Sequence, residues 1–287
     1  MAEWGWFWIW RPCLAIQPWN DTISTAEYQL ISDLAYRTCG IDLSRGKQDL
    51  VQARLRKQIR GGKFASFKEY YRHVIADPTG DALTALLDAL TTNFTSFLRE
   101  PAHFEFLRKS ILPNLEGPIR IWSAGCSTGE EPFTIAFSLI EELGPAAFWR
   151  CRILAADIST HALGGARRAV YPADRFSDFP LDCLPKYLLR GTQTWDGWFR
   201  VKPSIRAMIE FRRLNLIEPF QHPQPFQVIF CRNVMIYFNK ATQADLVNRL
   251  ARSLAPGGYL FIGHSESLTG LSHPYEYIQP AVYRKPL

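Results

Sequence analysis

RIWSAGCSTGEEPFTIA, Arg120–Ala136, is the stretch whose reading decides the fold. It opens on an apolar run of strand length, passes through small residues from Ala124 to Gly129, and enters a helix at Glu130-Glu131-Pro132. Proline suits a first helical turn, where its missing N–H has no partner to lose. Gly125 and Gly129 let the backbone approach a ligand closely. By position this is the strand–loop–helix of a nucleotide-binding unit, although Ser127 stands where GxGxxG would have its middle glycine. GCSTG is equally a literal G-x-S-x-G, the hydrolase nucleophile elbow, with Asp157 or Asp182 and His264 downstream in triad order. That elbow sits deep in an established sheet, whereas the hundred residues before this loop read as helix, so the nucleotide reading is preferred.

Working downstream, apolar runs recur between helical stretches: 151–157, 208–216, 226–231 and 258–264. Near-continuous apolar strands separated by helices predict a parallel sheet covered on both faces. The last apolar segment, 281–285, follows with too little chain for a helical crossover and is expected to return antiparallel. YLLRGTQTWDGWFRV, 187–201, reads as a β-hairpin inserted in this domain.

Two glutamates at the helix start would repel a pyrophosphate. Glu130 and Glu131 therefore favour a phosphate-free cationic cofactor, and S-adenosylmethionine fits, or they simply complement the helix dipole. Asp157 ends the second strand, where an acid can hold ribose hydroxyls or cap the next helix. CRNVMIYF, 231–238, places Arg232 and Asn233 at the end of the fourth strand. Asn233 suits an adenine edge, and the Tyr237 face suits a sulfonium by cation–π attraction, unless both only serve a strand-end turn. His264 and Glu266 end the fifth strand and are read as a turn outside the site.

Upstream, apolar residues at 3–4 spacing predict a helical domain over 24–111, beginning with a Ser24/Glu27 capping box. Residues 1–23, with WGWFWIW at 4–10, form a Trp-rich extension expected to be disordered. LPNLEGP, 112–118, reads as the linker to a second domain, 119–287, with a β-subdomain at 187–211. The 287 residues suit two domains, and 47% hydrophobic with 21% charged residues excludes wholesale disorder. No apolar run reaches the ~18 residues of a membrane span. Six cysteines without CxxC spacing read as reduced thiols of a cytoplasmic protein. Net charge is +6, and seven basic residues stand against one acid between Arg45 and Lys63. A balance of this sign suits an acidic partner. TTNFTSFLREP, 91–101, carries Asn93, Thr95 and Arg99, whose local explanation is capping and a surface arginine.

LTTNFTSFLRE, RIWSAGCSTGEEPFTIA, LAADIST, FRRLNL, FQVIFCRNVMIYF and LAPGGYLFIGHSESL occur in one order from about residue 25 to the end. In these segments the chain resembles the CheR-type chemoreceptor glutamate O-methyltransferases. The resemblance implies a small N-terminal helical domain joined to an α/β class I (Rossmann-like) methyltransferase domain that carries the β-subdomain. It implies that Asn93, Thr95, Arg99, Glu130, Asp157, Asn215, Leu216, Arg232 and Asn233 bind S-adenosylmethionine, with Arg99 and Tyr237 near the transferring methyl. No metal is implied. The substrate would be glutamates on a chemoreceptor's cytoplasmic helical bundle, held by the basic face of Lys47, Arg54, Lys57 and Arg60. The β-subdomain would dock a receptor's C-terminal peptide. A cytoplasmic monomer is expected, without membrane insertion or nucleic-acid binding. An amine-methylating DNA enzyme would carry a D/N-P-P-Y/F segment after the fourth strand, where this chain has CRNVMIY. A non-catalytic receptor adaptor would have no use for Glu130, Asp157 and Arg99.

Overall fold

The structure, a computed structural model, describes residues 22–43, 46–91, 93–179 and 183–287. The expectation for the Trp-rich start therefore lies outside the described residues up to position 21. Ile23 is a buried core residue, tied through its backbone to Gln48 and Gln52.

Four helices come first: α1 (Thr25–Cys39), α2 (Gln48–Gly61), α3 (Phe67–Ala76) and α4 (Asp81–Leu90). The capping box forms as the spacing predicts, with Ser24 Oγ accepting from the Glu27 N–H and Glu27 accepting in return. Ile31, Ala35, Leu55, Ile59, Phe67 and Leu86 enclose a core of their own. Leu50 and Ile75, although apolar, are exposed.

The chain then runs through α5 (Pro101–Phe106) into β1 (Ile119–Ala124), α6 (Glu130–Leu143), α7 (Ala147–Arg150), β2 (Cys151–Asp157), α8 (Thr160–Arg168) and β3 (Val170–Pro172). After these come α9 (Leu184–Tyr187), β4 (Leu188–Arg190), β5 (Trp198–Val201), α10 (Pro203–Arg206), β6 (Ile209–Arg213) and β7 (Phe226–Cys231). The chain ends with α11 (Lys240–Ser253), β8 (Leu254–Ile262), β9 (Glu276–Gln279) and β10 (Val282–Arg284). Seven strands form one sheet in the order β6-β2-β1-β7-β8-β10-β9. The first five are parallel, and β10 returns antiparallel to β8, as its short connection predicts.

Two boundaries differ from the sequence reading. Phe97, Phe104, Leu107, Ile111 and Leu112 pack into the cluster beneath the sheet, not with the N-terminal helices. Their side chains are apolar at helical spacing in either domain, so periodicity alone could not assign them. The hairpin at 187–201 does form, from β4 and β5, but β3 joins it as a third strand in the order β3-β5-β4. Residues from Ile209 belong to the main sheet, so the subdomain does not extend to 211.

Candidate active site

A parallel sheet collects ligand-binding loops at its carboxyl edge, where strand order reverses. Here the chain leaves β1 for β2 on one side and returns to β7 on the other. A cleft lies at that place. The β1 loop gives it Gly125 and Ser127, the start of α6 gives Glu131, β2 gives Asp157, and the chain after β6 gives Leu214–Leu216. Arg232–Val234, Tyr237 and Phe238 follow β7. The opposite wall comes from Cys39 at the end of α1, Ile41 just after it, Thr91, and the connecting segment 93–99. The two walls are tied: the Asp42 N–H donates to the Tyr237 carbonyl (2.7 Å), and Asn215 Nδ2 donates to the Thr38 carbonyl (2.6 Å).

The loop after β1 is held by its own residues. Gly125 has φ +89, and a Cβ there would stand 2.4 Å from Val234 Cγ2. Gly129 has φ +101, with Ala166 Cβ at 2.9 Å from the position of a Cβ. Both glycines therefore answer to protein packing. Ser127 has φ 49; its N–H donates to Asp157 Oδ2 (2.8 Å) and its Oγ to the Asn93 carbonyl (3.0 Å). Asp157 Oδ1 accepts from the Ser159 N–H (2.9 Å), while Ser159 itself caps α8. Asp157 thus braces the loop and still faces the cleft. Burial raises its pKa, against the lowering pull of those backbone N–H groups. The hydrolase alternative finds no support: Ser127 Oγ is spent on Asn93, and His264 packs on His103 at 4.8 Å between ring centres. Asp182 lies outside the described residues.

The structure separates the two glutamates. Glu130 is 1% exposed, is absent from the cleft lining, and accepts from Thr128 Oγ1 (2.6 Å). Glu131 lines the cleft; its Oε1 accepts from Ser123 Oγ (2.7 Å) and its Oε2 pairs with Arg232 Nη1 (3.1 Å). Burial pushes both carboxyls up. Of the two, Glu131 lines the cleft, and Glu130, the residue expected at the cofactor, sits behind that lining. On a helix, successive residues point about 100° apart, which the sequence motif does not resolve.

Arg232 lines the cleft but is 5% exposed, and its nitrogens are engaged by protein. Besides Glu131 it pairs with Glu100 Oε2 (Nη2 at 3.0 Å) and donates to the Arg99 carbonyl. Glu100 Oε1 accepts from the His264 N–H (3.2 Å). Burial opposes Glu100 ionising, yet Arg232 and that N–H outweigh it and hold its pKa below the usual range. Glu100, His103 and His264 bring potential ligand atoms within 4.8 Å of one another. A cation there would lie against the Arg232 guanidinium, so the cluster reads as part of the arginine's network. Asn233, with φ 58, is set by Glu266, whose carboxylate accepts from the N–H groups of Asn233 (2.9 Å) and Gly263 (2.6 Å). Glu266, set aside in the sequence, is a brace of the site.

Of the other expected residues, Asn93, Thr95, Arg99, Asn215, Leu216 and Tyr237 all line this cleft. Arg99 Nη1 donates to the Phe94 carbonyl (2.9 Å). The basic face lies on α2 and its start. Lys47 Nζ donates to the Asp42 carbonyl (2.8 Å) and Arg54 to the Leu90 carbonyl, whereas Lys57 and Arg60 are exposed.

The lining suits S-adenosylmethionine. Two buried acids, Glu131 and Asp157, face a cleft whose helix entrance is blocked to phosphate by glutamate, and apolar Ile158, Leu216, Val234 and Phe238 can flank a base. Sheet order and site together define a Rossmann-like methyltransferase using S-adenosylmethionine. Residues 93–283 match the family model "CheR methyltransferase, SAM binding domain", and residues 26–91 match "CheR methyltransferase, all-alpha domain". The chain belongs to the CheR methyltransferase family. It is 40% identical over 276 residues to the chemotaxis protein methyltransferase of Borreliella burgdorferi, covering 93% of this chain and 96% of that one. It is 40% identical over 263 residues to chemotaxis protein methyltransferase 2 of Pseudomonas aeruginosa, covering 90% and 92%. The Escherichia coli chemotaxis protein methyltransferase is 36% identical over 262 residues, covering 91% of each chain.

Proposed function

We propose that this protein methylates glutamate side chains on the cytoplasmic helices of chemoreceptors, as a cytoplasmic monomer in chemotaxis adaptation. The observation that carries the reading is the cleft itself: it offers Arg99 and Tyr237 beside an acid-lined cofactor site. A carboxylate nucleophile fits that lining because it needs no base; with a free pKa of ~4.3 it is already ionised near neutrality. Bound S-adenosylmethionine supplies an electrophilic methyl on a sulfonium. Arg99 offers its guanidinium to one carboxylate oxygen, which offsets the rise in pKa that desolvation imposes. Its bond to the Phe94 carbonyl restrains it from clamping the nucleophile too tightly. Tyr237 offers a hydroxyl or a ring face beside the reacting atoms. Arg232 and Asn233 shape the wall rather than move protons. The chain's own contribution is alignment, with reacting atoms brought to about 3–3.5 Å.

Lys57 and Arg60, exposed on α2, fit a helix rich in glutamates. The β-subdomain fits a receptor C-terminal peptide by strand addition. Its outer strand β4 is a sheet edge, with Leu189, Trp195 and Trp198 exposed nearby.

The test is transfer of labelled methyl to cytoplasmic fragments of the host's chemoreceptors, with and without their C-terminal tails. The expected product releases methanol in mild base, and losing the tail raises KM. Base-stable label, or label in nucleic acid, refutes the glutamate ester. Failure to bind S-adenosylhomocysteine favours an adaptor.

A further inference from the structure

Arg99 sits between two residues in the left-handed region, Leu98 (φ 53) and Glu100 (φ 58). Such a conformation is costly for residues with a Cβ and persists only where the surroundings hold it. Several contacts do so. The Leu98 N–H donates to Thr134 Oγ1 on α6 (3.3 Å). Glu100 is fixed by the His264 N–H after β8 and by Arg232 after β7. Arg232 also donates to the carbonyl of Arg99 itself, and its remaining Nη is held by Glu131 on α6. The guanidinium, with Phe104 packed beneath it at 5.5 Å, thus ties the ends of two strands and a helix to the turn that presents Arg99.

We propose that Arg232, clasped by Glu100 and Glu131, is a positioning residue whose guanidinium sets Arg99 in the cleft through its backbone. A planar guanidinium can serve two carboxylates and a carbonyl at once; an ammonium cannot reproduce that geometry. The inference rests on the reading that Arg99 serves the transferred methyl.

A double-mutant cycle between Arg232→Lys and Arg99→Ala tests it, using receptor-fragment methylation for kcat and KM, and calorimetry with S-adenosylhomocysteine. Arg232→Lys is expected to lower kcat about 10- to 100-fold, as a misplacement near 1 Å does. Receptor KM and S-adenosylhomocysteine affinity are expected to move by less than ~3-fold, and in the Arg99→Ala background the further loss in kcat by less than ~3-fold. An equal loss in both backgrounds, or a loss confined to S-adenosylhomocysteine affinity, overturns the inference. If Arg99→Ala alone leaves kcat intact, the reading of Arg99 falls and the inference with it; a deficient Arg99→Ala with an additive cycle sinks only the inference. Should Arg232→Lys fail to fold, Glu100→Gln replaces it in the same cycle. Glutamine still accepts from His264 but lacks the ion pair.

Discussion

Replacing Glu131 by glutamine separates what this carboxylate does for the fold from what it does for the cofactor. Around Arg232 stand two carboxylates, Glu100 and Glu131, against one guanidinium, so the cluster carries 1 − 2 = −1 when all are ionised. Glutamine leaves a neutral Arg232–Glu100 pair, not an orphaned charge, and with its oxygen accepting from Arg232 its amide NH2 donates to the Ser123 hydroxyl. Removing a partner that leaves a buried charge unpaired costs about 3–5 kcal/mol, but that condition is not met here. Burial already raises the Glu131 pKa, so losing the charge also removes a desolvation penalty. Stability should therefore change by less than ~1 kcal/mol. The cofactor should feel the change. Glu131 lines the cleft with its side chain only 12% exposed, so solvent screens it weakly. Two unit charges ~5 Å apart at an effective dielectric constant of ~20 attract by about 3 kcal/mol. Allowing half of that for residual solvent leaves about 1.5 kcal/mol, roughly tenfold in affinity. Calorimetry should show S-adenosylmethionine binding about tenfold weaker, and more weakened than S-adenosylhomocysteine, which lacks the sulfonium charge. Equal weakening of both ligands, or none, refutes the electrostatic reasoning.

Other outcomes follow from the same geometry. Lys57→Glu with Arg60→Glu should raise receptor KM about tenfold with S-adenosylhomocysteine affinity unchanged, because only exposed charge is reversed; calorimetry and methylation kinetics measure both. Arg54→Glu should instead lower the melting temperature, since Arg54 holds the Leu90 carbonyl. His103 is 1% exposed, and its pKa is pushed down to about 3, chiefly by burial with the Arg232 charge adding to it. The unfolded chain therefore takes a proton below ~6.5 that the native state refuses, so stability is present above that pH and is lost on acidification toward 3. In His103→Phe, urea unfolding between pH 6 and 4 should lose about 1.4 kcal/mol less per pH unit than the unsubstituted protein. Gly125→Ala should lower stability by about 1–2 kcal/mol from the left-handed backbone alone. Adding Val234→Ala should recover only the contact with Val234, as thermal melts of both variants would show.

Much of this was legible in the chain because local and global signals agree. Apolar runs gave the parallel strands, and the short approach to 281–285 gave the antiparallel return. The loop from Gly125 to Gly129 located the cleft because strand, small residues and helix start can be read from neighbouring residues alone. What escaped depends on direction or on distant packing. Glu130 and Glu131 are equivalent in composition; only the helix face distinguishes the one held by Thr128 from the one facing the cleft. Glu100 and Glu266 look like surface acids until β7 and β8 bring Arg232 and the Gly263 N–H to them. Phe97 and Phe104 carry no mark of which core will take them.

That last point bears on how relatives can be recombined. The segment 93–112 looks like the tail of the helical region, yet it packs beneath the sheet and supplies a wall of the cofactor cleft. A chimera cut at the proline-rich stretch near 112–118 would import another protein's Arg99 turn into a foreign set of strand ends, separating it from the Arg232 that braces it. A cut near Thr91 would keep the Arg99 turn with its own strand ends, and would exchange with the helices only the wall residues Cys39 and Ile41 and the Thr38 and Asp42 ties.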